Sequence, residues 1–255
     1  MKLGLCSPLD RMQAAKDMGY DYLEPAVSAV AAMPAQAYED ALAARQALAM
    51  PVEAMNVFVP GHIPLTGPDV QMDKVRAYLS GAMERAAAFG TKVIVFGSGG
   101  ARRVPDGFSR TRATEQIGDF LRLCDALAGP LGLRIAIEPL GRGECNILNS
   151  VGEATELARA LALPAVGVLA DTYHMHTQSE PLTAIVDAGP LLWHVHIANP
   201  VGRLFPRPGD GWDYGAVFDA LSAIGYAERV SVEVGDPDFD GGAPLALQTL
   251  RRFAQ

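Results

Sequence analysis

Short apolar runs alternate along this chain with longer segments of helical spacing. Eight runs are rich in Val, Ile and Leu, as strands buried on both faces should be, and they predict β-strands. The predicted strands cover residues 2–7, 22–27, 52–58, 92–98, 134–140, 166–172, 192–199 and 229–235. Between them lie Ala- and Leu-rich segments such as AYEDALAARQALAM, and Gly19, Gly90 and Gly132 stand where helices should end.

Alternating strands and helices indicate a parallel sheet, and eight such units predict a closed (β/α)8 TIM barrel, an α/β fold. The 255 residues match the usual size of such a barrel. Because no linker or shift in composition interrupts the pattern, we expect residues 1–255 to form a single TIM-barrel domain. A doubly wound open sheet is the alternative, and it is disfavoured because the first strand lacks the Gly-rich turn of a dinucleotide site.

Four chemically active residues stand near the ends of four successive predicted strands. They are Glu138 in RIAIEPL, Asp171 in VGVLAD, His196 in WHVHIAN and Glu233 in RVSVEVG. The intervals between them are each about one βα unit, so the side chains should converge at the mouth where barrels place active sites. One acid at a strand end is usually a cap or a solvated charge, but four such residues in register weaken that ordinary interpretation.

Three carboxylates and one imidazole form a hard ligand set that suits Mn²⁺, Co²⁺ or Mg²⁺ better than a structural zinc. A divalent cation can stabilise the enediolate that forms when a proton leaves a carbon beside a carbonyl. Glu138 and Glu233 are the predicted acid–base pair for that proton, one on each face of a bound sugar. The residues alone leave epimerisation and aldose–ketose isomerisation open.

The segments IEPLGRGECN, ADTYHMH, HVHIANPVGR and SVEV resemble the sugar phosphate isomerase and epimerase superfamily, with its xylose-isomerase-like barrel. The pattern is most similar to the ketose 3-epimerases and to hydroxypyruvate isomerase. This resemblance implies that Glu138, Asp171, His196 and Glu233 bind one divalent metal per chain, with Mn²⁺ as first choice and Co²⁺, Mg²⁺ or Zn²⁺ as alternatives. It also implies a cis-enediolate intermediate on a small ketose or related sugar.

The resemblance extends to residues that would hold the substrate. Glu144, six residues after the first glutamate, and His174, three after the aspartate, match positions that hold substrate hydroxyls in ketose epimerases. Arg203, seven after the histidine, lies in the region of the substrate-binding arginine, at a spacing closer to the hydroxypyruvate isomerases. Gly141 replaces the asparagine that is common in this motif, which changes the local substrate contact.

Other residues carry weaker signals. His62 in NVFVPGH is a further substrate-binding candidate, with a place in a multinuclear zinc site or simple solvent exposure as alternatives. The GSGG turn before Arg102 and Arg103 could cradle a phosphate, although a plain turn is the stronger interpretation. Trp212 could pack on a sugar face or anchor its own loop. His194 should lie one layer below His196 as a hydrogen-bonded core histidine.

Composition narrows the class of partner. A net charge of −8 repels phosphate backbones and anionic membranes, so we expect a small sugar as partner, no nucleic acid and no membrane, with a homo-oligomer left open. An endonuclease-IV-like DNA-repair hydrolase on the same barrel is disfavoured by that charge and by only five histidines. A catalytically idle sugar-binding barrel would need no paired glutamates.

Three widely spaced cysteines predict no disulfide framework, and an opening without a secretory signal predicts a cytoplasmic protein.

Overall fold

The strands form one parallel sheet that curls into a barrel. The computed structural model describes residues 1–254 and shows eight strands in that range. In chain order, β1 to β8 are Lys2–Cys6, Tyr22–Glu24, Ala54–Met55, Val93–Phe96, Arg134–Ile137, Val166–Asp171, Leu192–Ile197 and Arg229–Val232. Their order in the sheet is β2-β1-β8-β7-β6-β5-β4-β3, so the first strand pairs with the last, as a barrel requires.

The remaining gap lies between β2 and β3. The Leu23 N–H donates to the Pro51 carbonyl at 2.9 Å, and Ala26 and Asn56 form an isolated parallel bridge. The Val27 N–H also donates to the Asn56 carbonyl at 2.7 Å. These backbone bonds close the barrel, which confirms the predicted (β/α)8 fold and excludes the open doubly wound sheet.

Helices surround the barrel and follow its strands. Within residues 1–254, α1 to α11 are Met12–Met18, Val27–Ala31, Ala35–Leu48, Met72–Ala88, Gly99–Arg102, Arg110–Leu131, Val151–Leu161, Thr172–Thr177, Thr183–Ala188, Tyr214–Ala223 and Phe239–Leu250. Short 3-10 turns occupy Leu9–Arg11 and Gly189–Leu191. Gly19 and Gly132 end α1 and α6 at φ 92° and 65°, a left-handed conformation that confirms these two predicted helix stops.

The core has two parts. A large apolar layer lies between the sheet and the helices, and a small cluster of Val93, Val95, Ala136 and Leu169 fills the barrel interior, where all four are fully buried. Ala136 stands two residues before Glu138, and Leu169 two before Asp171. Because side chains alternate along a strand, both acids point into the same interior one layer higher.

Several strands are shorter than predicted. β2 ends at Glu24, and Val27, the last residue of the predicted strand, instead begins α2. Pro25 between them has no N–H to continue the ladder. β3 keeps two residues of the predicted seven, because Val57 adopts a left-handed φ of 46° that turns the chain out of the sheet. At β5 and β8, the earlier end leaves the two key glutamates just beyond the strands.

Two further observations concern the chain as a whole. Cys6, Cys124 and Cys145 are free thiols, as predicted, and the last two are buried. Within residues 1–254, no helix is both long enough and apolar enough to cross a membrane.

Candidate metal centre

The four predicted ligands meet at the carboxyl end of the barrel. Glu138 directly follows β5, Asp171 ends β6, His196 lies near the end of β7, and Glu233 directly follows β8. One ligand atom from each residue lies within 4.8 Å of the corresponding atoms of the other three. The parallel register that aligns Asp171 with His196 brings these positions level. The convergence expected from the sequence is therefore present.

His196 lies at the centre of this cluster. Its Nδ1 lies 3.3 Å from Glu138 Oε1 and 3.2 Å from Glu233 Oε2. On the other side of the ring, Nε2 lies 2.9 Å from Glu24 Oε1. Burial opposes a charged imidazole, but the carboxylates of Glu233 and Glu24 outweigh it and raise the pKa of His196. A cation at Nδ1 would take the place of the proton that these carboxylates attract.

Asp171 contains an oxygen that is free to bind a ligand. Its Oδ1 accepts the Tyr173 N–H at 2.7 Å, whereas its Oδ2 is buried without a hydrogen-bond partner. Burial, together with the carboxylates of Glu233 and Glu138, raises the pKa of Asp171 to about 8. This arrangement suits a divalent cation. The cation would bind the unpartnered Asp171 oxygen, and its positive charge would relieve the repulsion between the three carboxylates.

Glu24 lies beneath the cluster and joins it to the barrel interior. Its Oε2 contacts His194 Nε2 at 2.7 Å and accepts the Ser231 hydroxyl. Burial alone would raise the pKa of Glu24, but His196 and His194 hold it well below its usual range. Since this carboxylate accepts from Nε2 of His196, it directs Nδ1 toward the site, as carboxylate partners of metal-binding histidines do.

Glu24 is a residue that sequence reasoning missed, although the signal was available. It ends an apolar strand in the same manner as the four predicted ligands, but it belongs to β2 rather than to the C-terminal half. His194, in contrast, is fully buried and hydrogen-bonded, as predicted for a core histidine. Cys6, Glu24 and His196 also lie close enough to share an ion, but both Glu24 oxygens already accept hydrogen bonds.

His174 points one ring nitrogen at the cluster. Its Nδ1 accepts the Gly141 N–H at 3.1 Å, so the proton of the neutral ring lies on Nε2, which is buried without a partner 3.7 Å from Asp171 Oδ2. Burial lowers the pKa of His174 to about 4. Glu144 lies 4.0 Å from the ring with its side chain 46% exposed, so it faces the open cleft. His174 thus offers a donor, and Glu144 an acceptor, to a ligand at this edge.

Arg203 crosses the mouth of the site. Its Nη2 donates to Glu233 Oε2 at 2.5 Å and lies 3.5 Å from Asp171 Oδ2, while Nη1 lies 3.7 Å from Glu144. The guanidinium stacks over the Tyr173 ring at 4.7 Å. Burial opposes its charge, but Glu233 and the other nearby carboxylates raise the pKa of Arg203 further. The predicted substrate residues Glu144, His174 and Arg203 are therefore brought together at the cluster.

His62 is not part of this assembly. It lies exposed in the turn after β3, and neither of the two metal-ligand clusters within residues 1–254 includes it. Asn56, on the same segment, instead reaches the centre, where its Nδ2 donates to Glu233 Oε1 at 3.3 Å. Trp212 packs edge-on against His176, with ring centroids 5.2 Å apart, in keeping with a loop anchor.

The two arginines after the GSGG turn donate to backbone carbonyls, in keeping with the plain turn that the sequence favoured over a phosphate cradle. Arg102 is fully buried, and its guanidinium donates to the carbonyls of Phe96 at 2.9 Å and Glu138 at 2.7 Å. Arg103 donates to the Glu144 carbonyl at 2.6 Å. Both arginines therefore support the backbone around the site. Gly97 contributes by its lack of a side chain, because a Cβ there would lie 2.1 Å from Glu138 Oε2.

An eight-stranded barrel with a carboxylate–imidazole cluster at its carboxyl end defines a TIM-barrel protein with a candidate metal centre. A family model described as the xylose isomerase-like TIM barrel matches residues 12–254, and the chain belongs to that family.

Two relatives of known name are similar in sequence to part of this chain. It is 30% identical over 145 residues to inosose isomerase of Bacillus subtilis, covering 52% of each protein. It is 29% identical over 193 residues to D-psicose 3-epimerase of Agrobacterium fabrum, covering 68% of this chain and 66% of that protein. The matches thus span between about half and two thirds of these relatives.

Two solved structures match nearly the whole chain. One is a 3-keto-D-glucoside 4-epimerase from E. coli, with a TM-score of 0.82, 24% identity and 99% of both chains covered. The other is an IOLI protein with a bound zinc atom, with a TM-score of 0.72, 22% identity, and 99% and 96% of the two chains covered. At these identities the likeness shows a shared fold.

Proposed function

We propose that this protein is a metal-dependent isomerase or epimerase of a small ketose or related keto sugar. The observation that carries the proposal is the cluster of Glu138, Asp171, His196 and Glu233, whose donor atoms lie within 4.8 Å of one another. Relatives with isomerase and epimerase names support the reaction class.

The four residues would hold one divalent cation. Three carboxylates and one imidazole favour Mn²⁺, with Co²⁺, Mg²⁺ and Zn²⁺ as alternatives. When bound, the cation would act as a Lewis acid toward the carbonyl and neighbouring hydroxyl oxygens of the sugar. The buried, unpartnered Asp171 Oδ2 supports this assignment, because no protein group satisfies it.

Glu138 and Glu233 are the proposed acid–base pair. They follow β5 and β8, which are separated in the sheet by β6 and β7, so a sugar held between them would have a carboxylate on each side. One glutamate would take the proton from the carbon beside the carbonyl, leaving a cis-enediolate, and the other would return a proton. Return to the opposite face of the same carbon gives an epimer.

Residues at the mouth would orient the sugar. The His174 Nε2–H would donate to a sugar oxygen, Glu144 would accept from a hydroxyl, and Arg203 would hold a carbonyl or hydroxyl oxygen while its contact with Glu233 positions that base. Holding the reacting carbon between the two glutamates supplies much of the rate advantage. His62 is exposed, so any contact that it makes with the substrate would be at the outer edge of the site.

An aldose–ketose isomerase is the second candidate. The similarity to a relative named inosose isomerase supports transfer of the proton between adjacent carbons, and on an open-chain sugar the same enediolate then gives an aldose. The test is to incubate metal-reconstituted protein with a panel of ketoses and identify the products by NMR. An epimer at the carbon beside the carbonyl indicates an epimerase, an aldose indicates the isomerase, and no conversion across metals and sugars contradicts the proposal.

A further inference from the structure

A mostly apolar pouch adjoins the metal centre and shares Glu233 with it. Its volume is about 470 Å³, and its apolar wall is formed by Leu9, Pro25, Ala26, Ala29, Val30 and Met33. Glu233 and Asn56, which belong to the metal centre or contact it, are also part of the lining. The wall comes from the segments that follow β1 and β2, whereas Glu144 and His174 follow β5 and β6, which are distant from β1 and β2 in the sheet order.

The polar side chains in the lining are those of Cys6, Ser7, Asp10, Glu24, Asn56 and Glu233, but most of the exposed lining is apolar. The Asn56 amide donates to Glu233, and the Glu24 carboxylate accepts from His194, His196 and Ser231. A free ketose carries an oxygen on every carbon, and each hydroxyl placed against the apolar wall would lose a hydrogen bond to water without replacement. The pouch is therefore poorly suited to the polar end of an unsubstituted sugar.

The volume of the pouch is large enough for more than a methyl group, since ordinary ligand pockets hold roughly 300–1,000 Å³. We propose that the pouch receives an apolar substituent, so that the substrate is a keto sugar carrying an alkyl or aryl group at the end remote from its reacting carbons. This inference rests on the proposed function for the identity of the sugar, whereas the apolar preference rests on the pouch alone.

Binding can be measured without turnover by using sugar alcohols, which have no carbonyl and cannot react. We would titrate metal-loaded protein calorimetrically with sorbitol and with 6-O-benzyl-sorbitol. Burial of the phenyl ring against the wall should make the Kd of the benzyl compound at least about 10-fold lower.

Two matched variants locate the effect. Ala29→Phe places a ring inside the pouch from an exposed position of α2, whereas Ala32→Phe makes the same change at an exposed position that does not line it. Ala29→Phe should remove the preference for the benzyl compound, and Ala32→Phe should retain it. Circular dichroism of both variants establishes that they are folded.

Equal affinity of the two sugar alcohols, or no binding of the benzyl compound, would overturn the inference. An equal effect of the two variants would do the same. Deuterium exchange from D₂O into D-fructose and 6-O-benzyl-D-fructose separates this failure from failure of the proposed function. Tighter binding of the benzyl compound without exchange in either ketose would contradict only the proposed isomerase or epimerase function. Exchange without tighter binding of the benzyl compound would contradict only the proposal that the pouch receives an apolar substituent.

Discussion

Glu24 and His196 form a buried carboxylate–imidazole pair, with 2.9 Å between Glu24 Oε1 and His196 Nε2. Neither side chain is exposed to solvent. The second Glu24 oxygen contacts His194 and Ser231, so the carboxylate is held from two sides. The pair therefore fixes both the orientation of the His196 ring and the nitrogen that faces the candidate metal centre.

Glu24→Gln should weaken metal binding by about 10- to 100-fold, because the amide no longer enforces this orientation of the ring. The measurement is the metal Kd by competition with a chelator. Glu53→Gln is the matched control, since Glu53 precedes β3 at the opposite end of the barrel, where it pairs with Lys2 and Arg229. A Kd in Glu24→Gln equal to that of the control would show that the pair has no part in metal binding.

Asp171→Ala and His196→Ala should abolish tight metal binding. Wild-type protein should contain about one divalent ion per chain by elemental analysis, and loss of either donor leaves too few ligands to hold it. Full metal occupancy in both variants would remove these two residues from the ligand set.

Neutral replacements of the orienting residues should separate substrate handling from metal binding. His174→Gln, Glu144→Gln and Arg203→Gln should keep the metal stoichiometry while lowering kcat and raising KM, because a misplaced carbon loses the advantage of proximity. Steady-state kinetics on metal-loaded variants provide the measurement. Unchanged kinetics in all three would make these side chains solvated charges or local caps.

Gly97→Ala should displace Glu138, since the added methyl group would lie 2.1 Å from Oε2. We expect metal affinity to fall by at least about 10-fold, as when a supporting contact of a metal ligand is lost. Gly129→Ala is the control, because its Cβ would meet nothing within 4 Å and it lies inside α6. Equal metal affinity in the two variants would contradict the close packing of Gly97 against Glu138.

Much of this architecture could be predicted from local pattern. Strand and helix periodicities indicated the barrel, and regular spacing placed Glu138, Asp171, His196 and Glu233 at one mouth. The strand-end position of Glu24 was a local signal of the same kind, but its pairing with two histidines could not be predicted in that way, because it depends on contacts with residues about 170 positions away. The burial of Arg102 could not be predicted either, because a charged residue after glycines is typical of a solvated turn and its burial depends on tertiary contacts.

The apolar pouch escaped prediction for a local reason. Its wall includes α2, whose first residue falls at the end of a predicted strand. The segment YLEPAV is apolar enough for either a buried strand or a buried helix, so its composition does not show where β2 ends and α2 begins. The chain turns at Pro25, between β2 and α2, and this turn brings the following residues to the barrel mouth.

In the proposed function, Glu138 and Glu233 exchange a proton with a carbon of a keto sugar at the metal centre. The most direct measurement is NMR of deuterium incorporation from D₂O into the sugar, using metal-loaded wild type, Glu138→Gln and Glu233→Gln. Wild type should introduce carbon-bound deuterium, and each variant should do so about 10²- to 10⁴-fold more slowly, since an amide is a poor proton acceptor. Exchange at the wild-type rate in either metal-loaded variant would contradict the role of that glutamate, and a lack of exchange by wild type across the ketose panel would contradict the proposed function.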